Sequence, residues 1–224
     1  MKLRTSHCGE PLVPNGGFVS FRRILIIFGS SYGQTAKIAT RIGDALVKRG
    51  HAVTLMNASE QVPSAPLPSF DGVVIGSSII ARGHQKSVEQ FLRAQRDVLV
   101  GVPTAFFSVS ASAASKDAGG RAAAERVRDE FLKHVGWQPR LRASIAGAIN
   151  YTRYNPLLRW YMKRASAKGG GSTDTSRDHE YTDWTQVEQF AQDVGQLVET
   201  WPRGAGATAD VQGPVTDASP LLAR

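Results

Sequence analysis

Six consecutive residues, Ser30-Ser31-Tyr32-Gly33-Gln34-Thr35, offer three aliphatic hydroxyls, a phenol, an amide and a glycine. They lie between an apolar run, Ile24 to Phe28, and a helical pattern beginning near Gln34. A strand that empties into a small hydroxyl-rich turn and opens a helix is chemically suited to an anion. The first turn of a helix leaves backbone N–H groups without partners, and its dipole places partial positive charge there. Ser30, Ser31 and Thr35 add donors, and Gly33 lets the backbone come close, so the turn suits a phosphate. It has neither the Gly-Lys-Ser/Thr of a nucleotide triphosphate loop nor the spaced glycines of a dinucleotide fingerprint. The plain alternative is a helix N-terminus that holds no ligand.

Two further stretches have the same character. Ser77-Ser78-Ile79-Ile80-Ala81-Arg82-Gly83-His84 follows the apolar run Val73-Val74-Ile75, and Ser108-Val109-Ser110-Ala111 ends the run from Val102. A third chemical feature is Asn150 to Gly171, in which Tyr151, Arg153, Tyr154, Arg159, Trp160, Tyr161, Lys163 and Arg164 interleave base and ring. No acidic residue occurs between Glu130 and Asp174. Such a stretch suits an interfacial helix on anionic lipid, a site for an acidic aromatic small molecule, a nucleic-acid patch, or a solvated insertion packed on a sheet edge.

The elements that would position these stretches follow from periodicity. Residues 23–28, 52–56, 71–76, 102–109 and 140–149 read as strands, several apolar on both faces as buried parallel strands are. Ile38, Ile42 and Leu46 recur at helical spacing, as do Val88, Phe91 and Leu92, and later Val187, Phe190, Val194 and Val198. Residues 118–135 form another helix, and Thr182 or Asp183 is placed to cap the last one. The alternation predicts an α/β fold, a doubly wound sheet of five parallel strands carrying a basic aromatic insertion after strand 5. Such sheets bind ligands at the carboxyl ends of their strands. The three small-residue loops therefore gather at one crevice, the first for phosphate and the other two for a flat ring system.

The 224 residues fit one domain with tails, and 27 Lys and Arg against 19 Asp and Glu give a net charge of +8, which points to an anionic partner. The single cysteine, Cys8, excludes an internal disulfide, a Cys-x-x-Cys redox pair and a cysteine zinc cluster. Ser20-Phe21-Arg22-Arg23 superficially reads as a twin-arginine export signal. The apolar run after it is too short and leads into the phosphate-type turn. The expected organisation is a disordered extension (1–21), one α/β domain (22–201, with the insertion at 150–171) and a disordered tail (202–224).

The pattern around Ser30 to Thr35 resembles a flavodoxin-type domain. The second half resembles the flavodoxin-like, quinone-dependent protoporphyrinogen IX dehydrogenases. The matching residues are Ile145-Ala146-Gly147-Ala148, Tyr151, Arg153-Tyr154, Gly170-Gly171-Ser172-Thr173-Asp174-Thr175 and Tyr181-Thr182-Asp183-Trp184. The resemblance spans roughly residues 23–200. It implies the strand order 2-1-3-4-5 and a non-covalent FMN. Ser30, Ser31, Tyr32, Gly33, Gln34 and Thr35 would hold its phosphate. Ser77, Ser78, Ile79, Ser108, Val109, Ser110 and Ala111 would flank its ring. It further implies oxidation of protoporphyrinogen IX with electrons passed to menaquinone or ubiquinone, in haem biosynthesis. The location implied is cytoplasmic and peripheral, on the inner face of the bacterial cell membrane.

Hydride transfer needs no nucleophile, triad or metal, and none stands out. Arg82 and Arg153 are the candidates for tuning a reduced flavin. Arg153, Tyr154, Arg159, Trp160, Lys163 and Arg164 are the candidates for substrate or membrane contact, and no nucleic acid is expected. Two other activities fit the same fold: a soluble flavodoxin-type electron carrier and an NAD(P)H:quinone reductase. An acidic docking surface would mark the first, against the observed +8. The second needs a nicotinamide site that the sequence does not locate.

Overall fold

The computed structural model of the chain describes residues 21–60, 67–81, 83–202 and 216–217. The expected extension, most of the expected tail and Arg82 lie outside them. The main strands are β1 (Arg23–Gly29), β2 (Ala52–Asn57), β3 (Gly72–Ile80), β4 (Thr104–Ser110) and β5 (Leu141–Ala146). They lie parallel in the order β2-β1-β3-β4-β5. The predicted doubly wound sheet is therefore present. Thr216–Asp217 adds a short parallel pair to the outer edge of β5, which the alternation did not predict.

The helices are α1 (Gln34–Lys48), α2 (Lys86–Leu99), α3 (Ala118–Val135), α4 (Pro156–Lys168) and α5 (Trp184–Thr200). Strand side chains alternate between the two faces, and each face has its own core. Ile24, Ile26 and Phe107 pack with Ile38, Ile42, Phe190 and Val194 beneath α1 and α5. Leu25, Ile27 and Phe106 pack with Val88, Leu92, Phe131 and Leu132 beneath α2 and α3. Fully burying one such side chain contributes about 1.5–3 kcal/mol, so these two layers fix the sheet that carries the loops.

Two departures from the expected strands matter for the site. First, β3 continues through Ser77 and Ser78 to Ile80, then folds back so that Ile79 and Ile80 pair with His84 and Gly83. The second small-residue stretch is thus an extended hairpin rather than a loose loop. Second, the fifth strand stops at Ala146. Gly147 donates to the Ser110 carbonyl at 3.0 Å, and a Cβ there would lie 2.8 Å from Val109 Cγ1. Beyond it, Ala148–Ile149 pairs antiparallel with His179–Glu180.

The insertion is ordered by a small core of its own. Ile149, Tyr151 and Tyr154 are buried, with Leu158, Met162 and Tyr181 packed on them. Asn155 caps α4 by accepting from Leu158 N–H, and Pro156 sits where its missing N–H costs nothing. The carbonyl of Ser172 accepts from both Tyr151 Oη (3.0 Å) and Ser166 Oγ (2.7 Å), tying the two ends of the insertion to one point.

Candidate functional site

At the end of β1 the chain turns through Gly33, whose φ of +96° lies in the left-handed region that favours glycine. Gly33 N–H donates to Ser30 Oγ at 3.0 Å, closing the turn. Gly33 is also the N-cap of α1, and it has no side chain with which to cap. The first turn contains no acidic residue either. The positive end of α1 is therefore left open toward the crevice. Thr35 is 1% exposed, lines that crevice, and its Oγ1 has no hydrogen-bond partner. A buried hydroxyl without a partner costs about 1–3 kcal/mol, so an unpartnered Thr35 Oγ1 fits a ligand acceptor. Hydroxyl, helix N-terminus and left-handed glycine together fit the phosphate of FMN.

The crevice is a narrow cleft lined by Ser30, Tyr32, Gln34 and Thr35 from the first loop. Ser78, Ile79 and Ile80 line it from the hairpin, and Val109, Ser110 and Ala111 from the end of β4. The three stretches expected to meet do so at the carboxyl edge of the sheet. Gly147, Ala148, Asn150, Tyr154, Leu158 and Met162 close it from the insertion side.

Four of the expected cofactor residues do not line the cleft. Ser31 is exposed, and its Oγ accepts from Gln85 Nε2 at 2.8 Å. Gly33 shapes the turn instead. Ser77 is fully buried and accepts from Gln85 N–H. Ser108 is buried inside the sheet, where its Oγ reaches Ser144 Oγ at 3.3 Å; Ser144 also accepts from the fully buried Arg128. For the strand residues the reason is geometric: Ser77 and the cleft-lining Ser78 are successive and point to opposite faces, and Ser108 lies two residues short of the strand end at which Ser110 meets the cleft.

Gln85 is the residue the sequence reading missed. Its Nε2 reaches Ser31 Oγ and Ser78 Oγ, each at 2.8 Å, so one amide clasps the first loop to the hairpin. Only its place immediately before α2 could have flagged it. Gln34 works similarly on the other side. Its Nε2 donates to Thr182 Oγ1, which donates to the Ala146 carbonyl. The cap of α5 is Asp183, not Thr182. Tyr181 Oη accepts from Ser172 N–H, and Trp184 Nε1 donates to Glu180. The Tyr-Thr-Asp-Trp run thus builds the frame on which the insertion rests.

The basic and aromatic candidates divide into an inner group, Arg153 and Tyr154 before α4 with Arg159 on it, and an outer group on α4. Arg153 Nη1 donates to the Tyr32 carbonyl at 3.0 Å and its guanidinium lies over the Tyr32 ring. Tyr154 meets the same ring edge-on at 4.8 Å. Arg159 Nη2 donates to the Tyr154 carbonyl. Arg153 and Tyr154 fasten the insertion onto the Ser30–Thr35 loop, Arg159 braces Tyr154 from within the insertion, and of the three only Tyr154 lines the cleft. Trp160, Lys163 and Arg164 face solvent, with Arg164 over the Trp160 ring and Leu157 beside them 76% exposed.

Electrostatics reinforce this division. Burial raises the phenols of Tyr151 and Tyr154 above their usual range, so both remain neutral donors. Burial would also raise the Asp178 carboxyl, but donors from Thr152 N–H, Thr152 Oγ1 and Asn150 hold it below the usual range. Lys37, the cation nearest the phosphate turn in sequence, is paired with Glu180. No helix among the described residues is long and apolar enough to cross a membrane.

A flavodoxin-domain family model matches residues 25–176. The protoporphyrinogen IX dehydrogenase (quinone) of Escherichia coli strain K12 is 31% identical over 177 residues, covering 79% of this chain and 97% of that protein. The protein of the same name from Leishmania major is 28% identical, covering 78% of this chain and 75% of its own length. The crystal structure of oxidised flavodoxin 1 from Bacillus cereus superposes with a TM-score of 0.49 at 16% identity, over 80% of this chain and 99% of that one. The sequence match runs through the cleft loops and the insertion alike, and the chain belongs to the flavodoxin-domain family, among its protoporphyrinogen IX dehydrogenase (quinone) members.

Proposed function

We propose that the chain is an FMN-dependent dehydrogenase that oxidises protoporphyrinogen IX to protoporphyrin IX and reduces menaquinone or ubiquinone, as a step of haem synthesis. The observation that carries this reading is the unpartnered, buried Thr35 hydroxyl at the open N-terminus of α1. Supporting it is the likeness to relatives named for that reaction.

Bound FMN supplies a two-electron acceptor, which is the part of the chemistry that side chains cannot perform. The chain's own residues bind and orient. Thr35 Oγ1, Ser30 and the first-turn N–H groups of α1 hold the phosphate. Ser78, Ile79, Ser110 and Ala111 flank the ring, while Tyr154, Leu158 and Met162 exclude water from one side. Six hydrogens leave the macrocycle in all, and three quinones take them up as quinols. The outer face of α4 (Leu157, Trp160, Lys163, Arg164) is the contact with the anionic inner face of the cell membrane. Its rings sit at headgroup depth and its cations face the lipid charge.

The test is anaerobic. FMN-loaded protein is mixed with protoporphyrinogen IX and either quinone, and porphyrin fluorescence is followed. The expected result is quinone-dependent porphyrin formation well above the protein-free rate. Equal rates with and without protein would refute the assignment.

A further inference from the structure

The cleft continues beyond the flavin loops. Past Ile79, Ala111 and Met162, which line both spaces, it widens into a chamber of about 720 Å³ between α3 and α4. That volume lies within the roughly 300–1,000 Å³ of sites that hold small organic ligands. One wall is α3, where Gly120, Ala123 and Ala124 offer almost no side chain. The other is α4, with Tyr161, Met162 and Ala165. Small residues facing an aromatic ring and a thioether leave a broad slot suited to a rigid ring system rather than a flexible chain.

Two cations line the same space from opposite walls. Arg126 on α3 and Lys168 at the end of α4 are both exposed. Neither has a carboxylate partner among the described residues. The acidic lining residues are Asp117, which is committed to capping α3 through Gly120 N–H, and the exposed Glu130. A lining of alanines, serines and rings with two cations on opposite walls suits an amphiphilic carboxylated ring.

We propose that this chamber binds the reduced macrocycle, with its rings between α3 and α4 and its propionates against Arg126 and Lys168. The proposal rests on the dehydrogenase reading above and deepens it. It places the carboxylate partners on the inner side of the insertion. Arg153 and Arg159 are occupied by backbone carbonyls, and Lys163 and Arg164 lie on the outer face.

The test measures binding without turnover. FMN-loaded protein is titrated with protoporphyrin IX, the oxidised product, and with its dimethyl ester, following porphyrin fluorescence. Ala165→Trp and Ala123→Phe fill the chamber from opposite walls. Each is expected to weaken porphyrin binding tenfold or more while FMN content stays stoichiometric. Arg126→Glu combined with Lys168→Glu is expected to weaken the free dicarboxylate about tenfold and the ester hardly at all. Unchanged porphyrin affinity in all three variants would overturn the proposal and leave the dehydrogenase reading standing. Wild-type protein that takes up FMN and binds no porphyrin would overturn both. Wall variants that keep porphyrin binding but lose reoxidation of the dithionite-reduced protein by quinone would assign the chamber to the acceptor and overturn the proposal.

Discussion

Thr35→Val separates the two roles that one hydroxyl can have. Valine keeps the shape of threonine and removes only the Oγ1 that lacks a partner in the cleft. In the ligand-free protein that hydroxyl is desolvated at a cost of about 1–3 kcal/mol, so removing it should raise stability by about 1 kcal/mol. Helix propensity offsets little of this, since the two residues rank close together. With FMN bound the sign reverses. A hydrogen bond to a charged group is worth about 1.5–3 kcal/mol, and its loss raises the FMN dissociation constant roughly ten- to hundredfold. At FMN a hundred times the wild-type dissociation constant, linkage stabilises wild type by about 2.7 kcal/mol. A variant bound a hundredfold more weakly gains only about 0.4 kcal/mol. The two unfolding curves should therefore change order: variant above wild type without FMN, wild type above variant with it. Urea denaturation at several FMN concentrations, with flavin fluorescence titration for affinity, reads both quantities. A variant that is less stable without FMN and binds FMN as tightly as wild type would mean that the hydroxyl is engaged inside the protein. The phosphate assignment would then fail.

Gln85→Ala removes the clasp between Ser31 and Ser78, and faster amide exchange in both loops with about tenfold weaker FMN binding is expected; unchanged exchange would show the clasp to be idle. His84 stacks on Phe131 with ring centroids 4.0 Å apart, and burial pushes its pKa down to about 4, only partly opposed by the backbone of Val127. The unfolded chain then takes up this proton near pH 6.5 and the folded one only near 4, so stability falls as pH drops through that window, by about 3 kcal/mol in full. His84→Phe should flatten this part of the pH–stability curve in urea titrations, and parallel curves for the two proteins would refute the burial argument. Trp160→Ala with Lys163→Glu and Arg164→Glu strips the outer face of α4; cosedimentation with anionic vesicles should be lost while FMN uptake persists, and retained cosedimentation would place the membrane contact elsewhere.

The sheet was legible because its signal is periodic and redundant. Ile24 to Ile27 and Val73 to Ile75 are buried on both faces, and the three helical stripes fall on the observed core. The turn that opens α1 was legible because its residue types serve backbone chemistry that is local. What stayed hidden depended on direction or on distant partners. Ser108 and Ser110 look alike in sequence and share one strand face, yet Ser108 lies two residues short of the strand end and meets Ser144, while Ser110, at the end, reaches the cleft. Gln85 has no distinguishing composition and acts only because Ser31 and Ser78 arrive beside it. The insertion was read as basic and aromatic throughout, but a helix turns about 100° per residue and sorted Trp160 from Met162.

That sorting has a mechanical consequence. Leu158, Met162 and Ala165 look inward from the same short helix that turns Leu157, Trp160 and Arg164 outward. A rigid cylinder has one rotational setting, so whatever grips the outer residues also sets the inner ones. Rolling α4 by a fraction of a turn would withdraw Met162 from the boundary shared by the cleft and the chamber and bring Tyr161 toward it. Any surface that gripped Leu157, Trp160 and Arg164 would thereby set the width of the passage behind them.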